Sequence, residues 1–132
     1  MDLELEGKTA IVTGASRGIG KAIARELALS GCDVVICARR PEDLEFAARE
    51  LSQETGRKVV GITADTTSTP DVERMIKEAA QVLGRIDILV NNAGIGHSAA
   101  IEDMTVAQWD KMIATNLRSV FLTTHYVLPH MY

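Results

Sequence analysis

Short apolar runs alternate with longer stretches whose apolar residues recur every three or four positions. The first run predicts a strand over Lys8–Thr13, and the stretch from Gly18 predicts a helix with Ile19, Ile23 and Leu27 on its buried face, ending near Ser30-Gly31. A second strand, Asp33–Ala38, is almost continuously apolar, as suits a strand covered on both faces. Pro41 opens a second helix with Glu42 and Asp43 in its first turn and Leu44, Ala47, Ala48 and Leu51 inward; Gly56 follows its end. Lys58–Ala64 predicts a third strand. Thr69-Pro70-Asp71 then reads as an N-cap, a first-turn proline and an acid, leading a helix with Val72, Met75, Ile76, Ala79 and Leu83 toward the sheet and Gly84 as its stop. Ile86–Val90 predicts a fourth strand, and the Ala93–Ala100 loop leads to a last helix. Thr105 and Gln108 form its capping box, and apolar residues run on to about Leu128. Strand–helix alternation of this kind predicts an α/β fold on a parallel sheet. No linker, repeat or low-complexity tract divides the chain, so residues 1–132 are read as one domain.

Between the first strand and helix lies Thr13-Gly14-Ala15-Ser16-Arg17-Gly18-Ile19-Gly20. A glycine turn between a strand and a helix N-terminus suits a dinucleotide's pyrophosphate. Gly14 permits the tight turn, Gly18 a close backbone approach to phosphate, and Gly20 close packing of helix on sheet, while unpaired N–H groups and the helix dipole favour the anion. Ser16 reads as a phosphate-loop hydroxyl. The fourth strand ends in Asn91-Asn92-Ala93-Gly94. In a doubly wound sheet the first and fourth strands flank the point where strand order reverses, so both motifs converge on one crevice.

Composition narrows the partners. The chain has 132 residues, 46% hydrophobic and 24% charged, enough to form a core, and a net charge of −4 with the signs interspersed. That argues against nucleic acid, which favours a basic face. No apolar run reaches the ~18 residues of a membrane span, and Met1-Asp2-Leu3-Glu4 lacks a signal peptide's basic and apolar regions, so a cytoplasmic protein is expected. Cys32 and Cys37 lie an odd number of residues apart around one strand, on opposite faces, and are expected to be buried free thiols; no metal site is expected.

With Gly14, Gly18 and Gly20, Asp65, Asn91-Asn92-Ala93-Gly94 and Asn116 at these spacings, the chain resembles the N-terminal, dinucleotide-binding half of the short-chain dehydrogenases/reductases. The resemblance covers essentially the whole chain. It implies a Rossmann-like doubly wound parallel sheet in the order 3-2-1-4, with the C-terminal half of the family fold absent. It also implies that Asp65 accepts from the adenine amino group, with Thr66 where the family usually has an apolar residue. Asn91 would brace the central strands, and Ala93 and Gly94 would lie against the ribose. Ala38 stands where an acid would bind a free ribose 2′-hydroxyl, and Arg39 follows it. Together with Arg17 this implies NADP(H), with Arg40 a solvated charge. The implied cofactor-binding set is Gly14, Ser16, Arg17, Gly18, Ile19, Gly20, Arg39, Asp65, Asn92, Ala93 and Gly94.

The implied chemistry is hydride transfer between NADPH and a carbonyl or alcohol substrate. Asn116 matches the asparagine of the catalytic tetrad, where the helix is locally distorted. The family's serine and Tyr-x-x-x-Lys have no match: Tyr126 has His130 four residues on, and Tyr132 is the last residue. His97, in the loop near the substrate side, reads as a solvated loop residue, and His125 and His130 have no evident partners. The fourth strand is therefore expected to be an exposed edge. Trp109, Met112, Val120, Phe121 and Leu122 are expected to spread apolar surface around the last helix, where the resemblance implies a homo-oligomer interface. Three readings stand at this point: an oxidoreductase-family chain, a module that holds NADP(H) without turnover, and a fragment dependent on a partner.

Overall fold

The computed structural model describes residues 4–94 and 100–132. Strands and helices alternate as β1 (Thr9–Thr13), α1 (Gly18–Leu29), β2 (Asp33–Ala38), α2 (Pro41–Thr55), β3 (Val59–Thr63), α3 (Thr69–Leu83) and β4 (Ile88–Val90). A 3₁₀ turn (Ile101–Asp103) precedes α4 (Val106–Ile113), a π-helical segment (Ala114–Arg118) and α5 (Ser119–Met131). The strands form one parallel sheet in the order β3-β2-β1-β4, the expected Rossmann arrangement. Thr9 pairs with Asp33, Ala10 with Ile88 and Val34 with Val59, which brings the carboxyl ends of all four strands to one side.

Alternation along β1 and β2 divides the core in two. Ala10, Val12, Val34 and Ile36 pack beneath α1 and α2 with Leu44, Ala47 and Leu51. Ile11, Val35 and Cys37 face α3 and α5 with Met75, Ile76, Leu122 and Val127. Cys32 lies in the first cluster and Cys37 in the second, both as buried free thiols, so the sheet itself separates them.

The buried face of α1 differs from the sequence expectation. Gly20, Ala24 and Ala28 face the sheet, whereas Ile19 is 74% exposed and Ile23 and Leu27 are only partly buried. Two stripes of period four, one residue out of phase, compete on this helix, and close packing against the glycine turn selects the smaller one. The cap of α3 is Ser68 rather than Thr69: its hydroxyl accepts from the Asp71 amide, and Thr69 is the first helical residue. Within α3, Leu83 is only partly buried.

The last helix is not one uninterrupted α-helix, because the π segment interrupts it around Asn116. Strand β4 is shorter than expected. Ile86 is buried ahead of it, and the Asp87 carboxylate accepts from the Thr9 amide at 3.0 Å. With β1 as its single neighbour among the described residues, β4 is the sheet edge that was expected, but its residues are half-buried rather than exposed. Among the expected surface residues, Trp109 and Phe121 are exposed, Met112 and Val120 are intermediate and Leu122 is buried in the second core.

Candidate functional site

A crevice of about 530 Å³ opens at the carboxyl ends of the strands. Its first wall is backbone. Gly14 turns off β1 with φ +63°, and a Cβ there would lie 2.8 Å from the Ala93 Cα. A Cβ on Gly20 would lie 2.2 Å from the Gly14 carbonyl oxygen, so α1 reaches the turn only because the residue is glycine. Gly18 also has positive φ (+62°), but nothing lies within 4 Å of the position its Cβ would take, so its open side faces free space. The residue before α1, Arg17, is extended, and no side chain caps the helix. Its first amides thus meet the crevice without a side-chain acceptor.

The exit of β4 is tied to this turn. The Thr13 hydroxyl accepts from the amides of Asn92 and Ala93, each at 3.0 Å, and donates to the Val90 carbonyl. Asn92 Nδ2 donates to the Gly14 carbonyl at 3.0 Å. Asn91 braces β4 against the last helix. Its Oδ1 accepts from the Thr123 hydroxyl and its Nδ2 donates to Thr124, so it joins β4 to α5. Alternation explains the split: successive side chains leave opposite faces, and Asn92 alone points toward the glycine turn.

The second wall is made of side chains. After β3, Asp65 Oδ1 accepts from the Thr67 amide at 2.9 Å and from the Thr67 hydroxyl at 2.7 Å. The Asp65 amide donates to Asp71 Oδ2. The two bonds from Thr67 hold the Asp65 carboxyl below the usual carboxylate range, with a smaller contribution from the nearby Arg39 charge. Thr66, where an apolar residue is usual, is buried and lines the crevice. Ala38 and Cys37 form the floor. Burial pushes the Cys37 thiol up to about 12, and its Sγ donates to the Ala64 carbonyl.

Gly14, Ser16, Arg17, Gly18, Arg39, Asp65, Asn92, Ala93 and Gly94 all line this one space. Three of the sequence candidates do not. Ile19 points to solvent, Gly20 is packed behind the turn, and Asn116 lies just beyond the lining, where a Cβ on Gly94 would sit 2.8 Å from its Oδ1. The lining also holds residues that sequence reasoning passed over: Lys111 on α4, Ala114 and Thr115 on the π segment, and Thr67. Lys111 carried a faint signal, one turn ahead of the segment bearing Asn116; Thr67 carried none. Arg40, read as a solvated charge, is exposed and lies at the rim. His97 lies outside the described residues. His125 stacks on Phe121 and meets the edge of Tyr126, away from the crevice, and Tyr132 is 96% exposed. Among the described residues, no group of three or more His, Cys, Asp or Glu side chains could hold a metal ion, and no helix is long and apolar enough to cross a membrane.

Comparison with known proteins agrees with this geometry. A family model described as short chain dehydrogenase matches residues 8–132. The D-beta-hydroxybutyrate dehydrogenase of Cupriavidus necator is 44% identical over 128 residues, covering 96% of this chain and 49% of the relative. The crystal structure of L-sorbose reductase from Gluconobacter frateurii, complexed with NADPH and L-sorbose, superposes with a TM-score of 0.93 at 32% identity, over 99% of this chain and 50% of that one. A short chain dehydrogenase from Burkholderia cenocepacia in complex with NADP gives a TM-score of 0.88 at 36% identity, over 96% of this chain and 52% of that one. The chain thus spans about half the length of the relatives it matches. From the glycine turn to the distorted helix, fold, motif and likeness coincide: this chain belongs to the short chain dehydrogenase family.

Proposed function

We propose that the chain supplies the NADP(H)-holding part of an oxidoreductase that moves hydride between NADPH and a carbonyl or alcohol substrate. One observation carries the reading: a glycine-rich turn and two guanidinium-bearing residues, Arg17 on that turn and Arg39 after β2, line the same crevice, with Ala38 rather than an acid at the end of β2. The crevice suits the cofactor on its own terms. The open side of Gly18 and the uncapped amides of α1 suit a diphosphate. Arg17 and Arg39 suit the ribose 2′-phosphate, since a guanidinium matches phosphate through paired charge-assisted bonds. Asp65 offers a carboxylate to the adenine side, and Ala93 and Gly94 keep the ribose side free of bulk. When bound, the cofactor supplies or accepts the hydride; the residues of this chain hold and orient it. The NADPH and NADP named with the Gluconobacter and Burkholderia structures support the same choice of nucleotide.

Calorimetric titration tests this. NADPH should bind more tightly than NADH, and Arg39→Ala should weaken NADPH by at least about tenfold (~1.4 kcal/mol) while leaving NADH nearly unchanged. Equal weakening of both nucleotides would remove the phosphate assignment from Arg39.

A second reading, binding without turnover by these 132 residues, is favoured by one sequence observation. No Tyr-x-x-x-Lys occurs in the chain, and a phenol acts as an acid/base near neutral pH only beside a cation that stabilises its anion. Of the residues the family resemblance assigns to catalysis, Asn116 alone is matched. We therefore expect NADPH binding without carbonyl reduction by the purified chain, and measurable NADPH-dependent reduction would reject this second reading. A cytoplasmic setting and self-association through the apolar side of α4 and α5, which exposes Trp109 and Phe121, complete the proposal.

A further inference from the structure

We propose that Arg118 is a positioning residue for the adenosine end of the crevice, clasping the β3–α3 loop to the π segment so that Asp65, Thr66 and Thr67 keep the shape that meets the nucleotide. This rests on the dinucleotide reading above. Arg118 is the last residue of the π segment. Its Nη1 donates to the Thr67 carbonyl at 2.6 Å and its Nη2 to the Thr69 hydroxyl at 3.1 Å, across 51 and 49 residues of sequence. Among the described residues it forms no ion pair, so its charge is directed at these two neutral oxygens. Thr67 is thereby held from both sides. Its carbonyl is bound by Arg118, while its amide and hydroxyl are bound to Asp65 Oδ1.

The other end of the clasp is equally placed. Ala114 and Thr115, on the segment that Arg118 closes, line the same crevice as Asp65, Thr66 and Thr67. An exposed arginine that merely reaches the nearest acceptor contributes little. Here two charge-assisted bonds fix the spacing between two walls of one site, and the loop between them has no other link to the π segment among the bonds described. The prediction is specific: loss of the clasp should loosen the nucleotide's adenosine half alone.

The test uses this chain with NADPH and with 2′,5′-ADP, which carries only the adenosine half. Arg118→Ala should weaken both by a similar factor, about tenfold. Arg118→Lys, which can satisfy one oxygen but not both, should recover part of that loss, and Thr69→Ala should cost about twofold to threefold. Hydrogen exchange without ligand should quicken at the Thr67 and Ser68 amides in Arg118→Ala and leave α3 and α5 unchanged. Unaltered affinity for 2′,5′-ADP, a loss confined to NADPH, or exchange spread along α3 and α5 would each overturn the clasp. If the unsubstituted chain bound neither nucleotide, the dinucleotide reading would fall, and the exchange measurement would still decide whether Arg118 holds the loop.

Discussion

At the β1–α1 turn the crevice is lined by backbone, and at the β3–α3 loop by side chains. Gly14 and Gly20 exclude any Cβ by contacts of 2.8 and 2.2 Å, so the first wall is shaped by what is missing. The second wall is shaped by what is added: Thr67 folded onto Asp65, and Arg118 folded onto Thr67. The two walls therefore differ in tolerance. A backbone wall fails wherever a Cβ has no room, whereas a side-chain wall fails one bond at a time.

The largest expected effect comes from breaking the first wall. Gly14→Ala combines a left-handed backbone with a clash on Ala93, so it should lose about 2–5 kcal/mol of stability and abolish NADPH binding. Gly18→Ala sharpens the point. It has the same sign of φ but open space around it, so urea unfolding should show only the conformational cost, about 1–2 kcal/mol.

The next effect lies in the floor that both walls share. The Cys37 thiol is pushed from an ordinary 9.0 up to about 12 by burial. The unfolded chain therefore ionises first. The contribution of the buried neutral thiol is complete below about pH 9 and is lost as pH rises toward 12, with a slope approaching about 1.4 kcal/mol per pH unit. Urea unfolding at pH 8 and pH 11 should show this extra loss in the unsubstituted protein but not in Cys37→Ala.

The smallest effect belongs to the second wall. Asp65 is held below its ordinary 3.8 chiefly by the Thr67 hydroxyl and then by the Thr67 amide. Its contribution to the loop is present above that value and lost as pH falls through the depressed one. Thr67→Val removes the hydroxyl bond, so a carboxyl NMR titration should show Asp65 moving back toward 3.8; an unmoved titration would mean that the hydroxyl does not set it.

Legibility in the sequence followed the same division. The first wall could be read because it is contiguous: a positive φ and a forbidden Cβ both call for glycine, and glycine is visible at Gly14, Gly18 and Gly20. The helix α2 stripe, Leu44, Ala47, Ala48 and Leu51, was legible for a similar reason, since no rival stripe competes with it. On α1 the larger Ile19, Ile23 and Leu27 stripe concealed the smaller one that close packing requires. The apolar letters of β4 suggested a longer strand, but Asp87 spends its carboxylate on Thr9 before pairing begins. The clasp of Arg118 on Thr67 spans 51 residues and depends on a distorted helix, so no local pattern announces it.

Thr13 sits where β1 and β4 part with its bonding capacity fully used. A hydroxyl has a single proton and two lone pairs, and all three are committed here, to Val90, Asn92 and Ala93. Where β1 and β4 cease to pair and diverge, this oxygen acts as the pivot that keeps them apart, and its valence is saturated in doing so. A guest molecule can lean on the pivot but cannot recruit it. Serine could replace it, whereas valine, its near-isostere, would leave two amides orphaned at the parting of the strands.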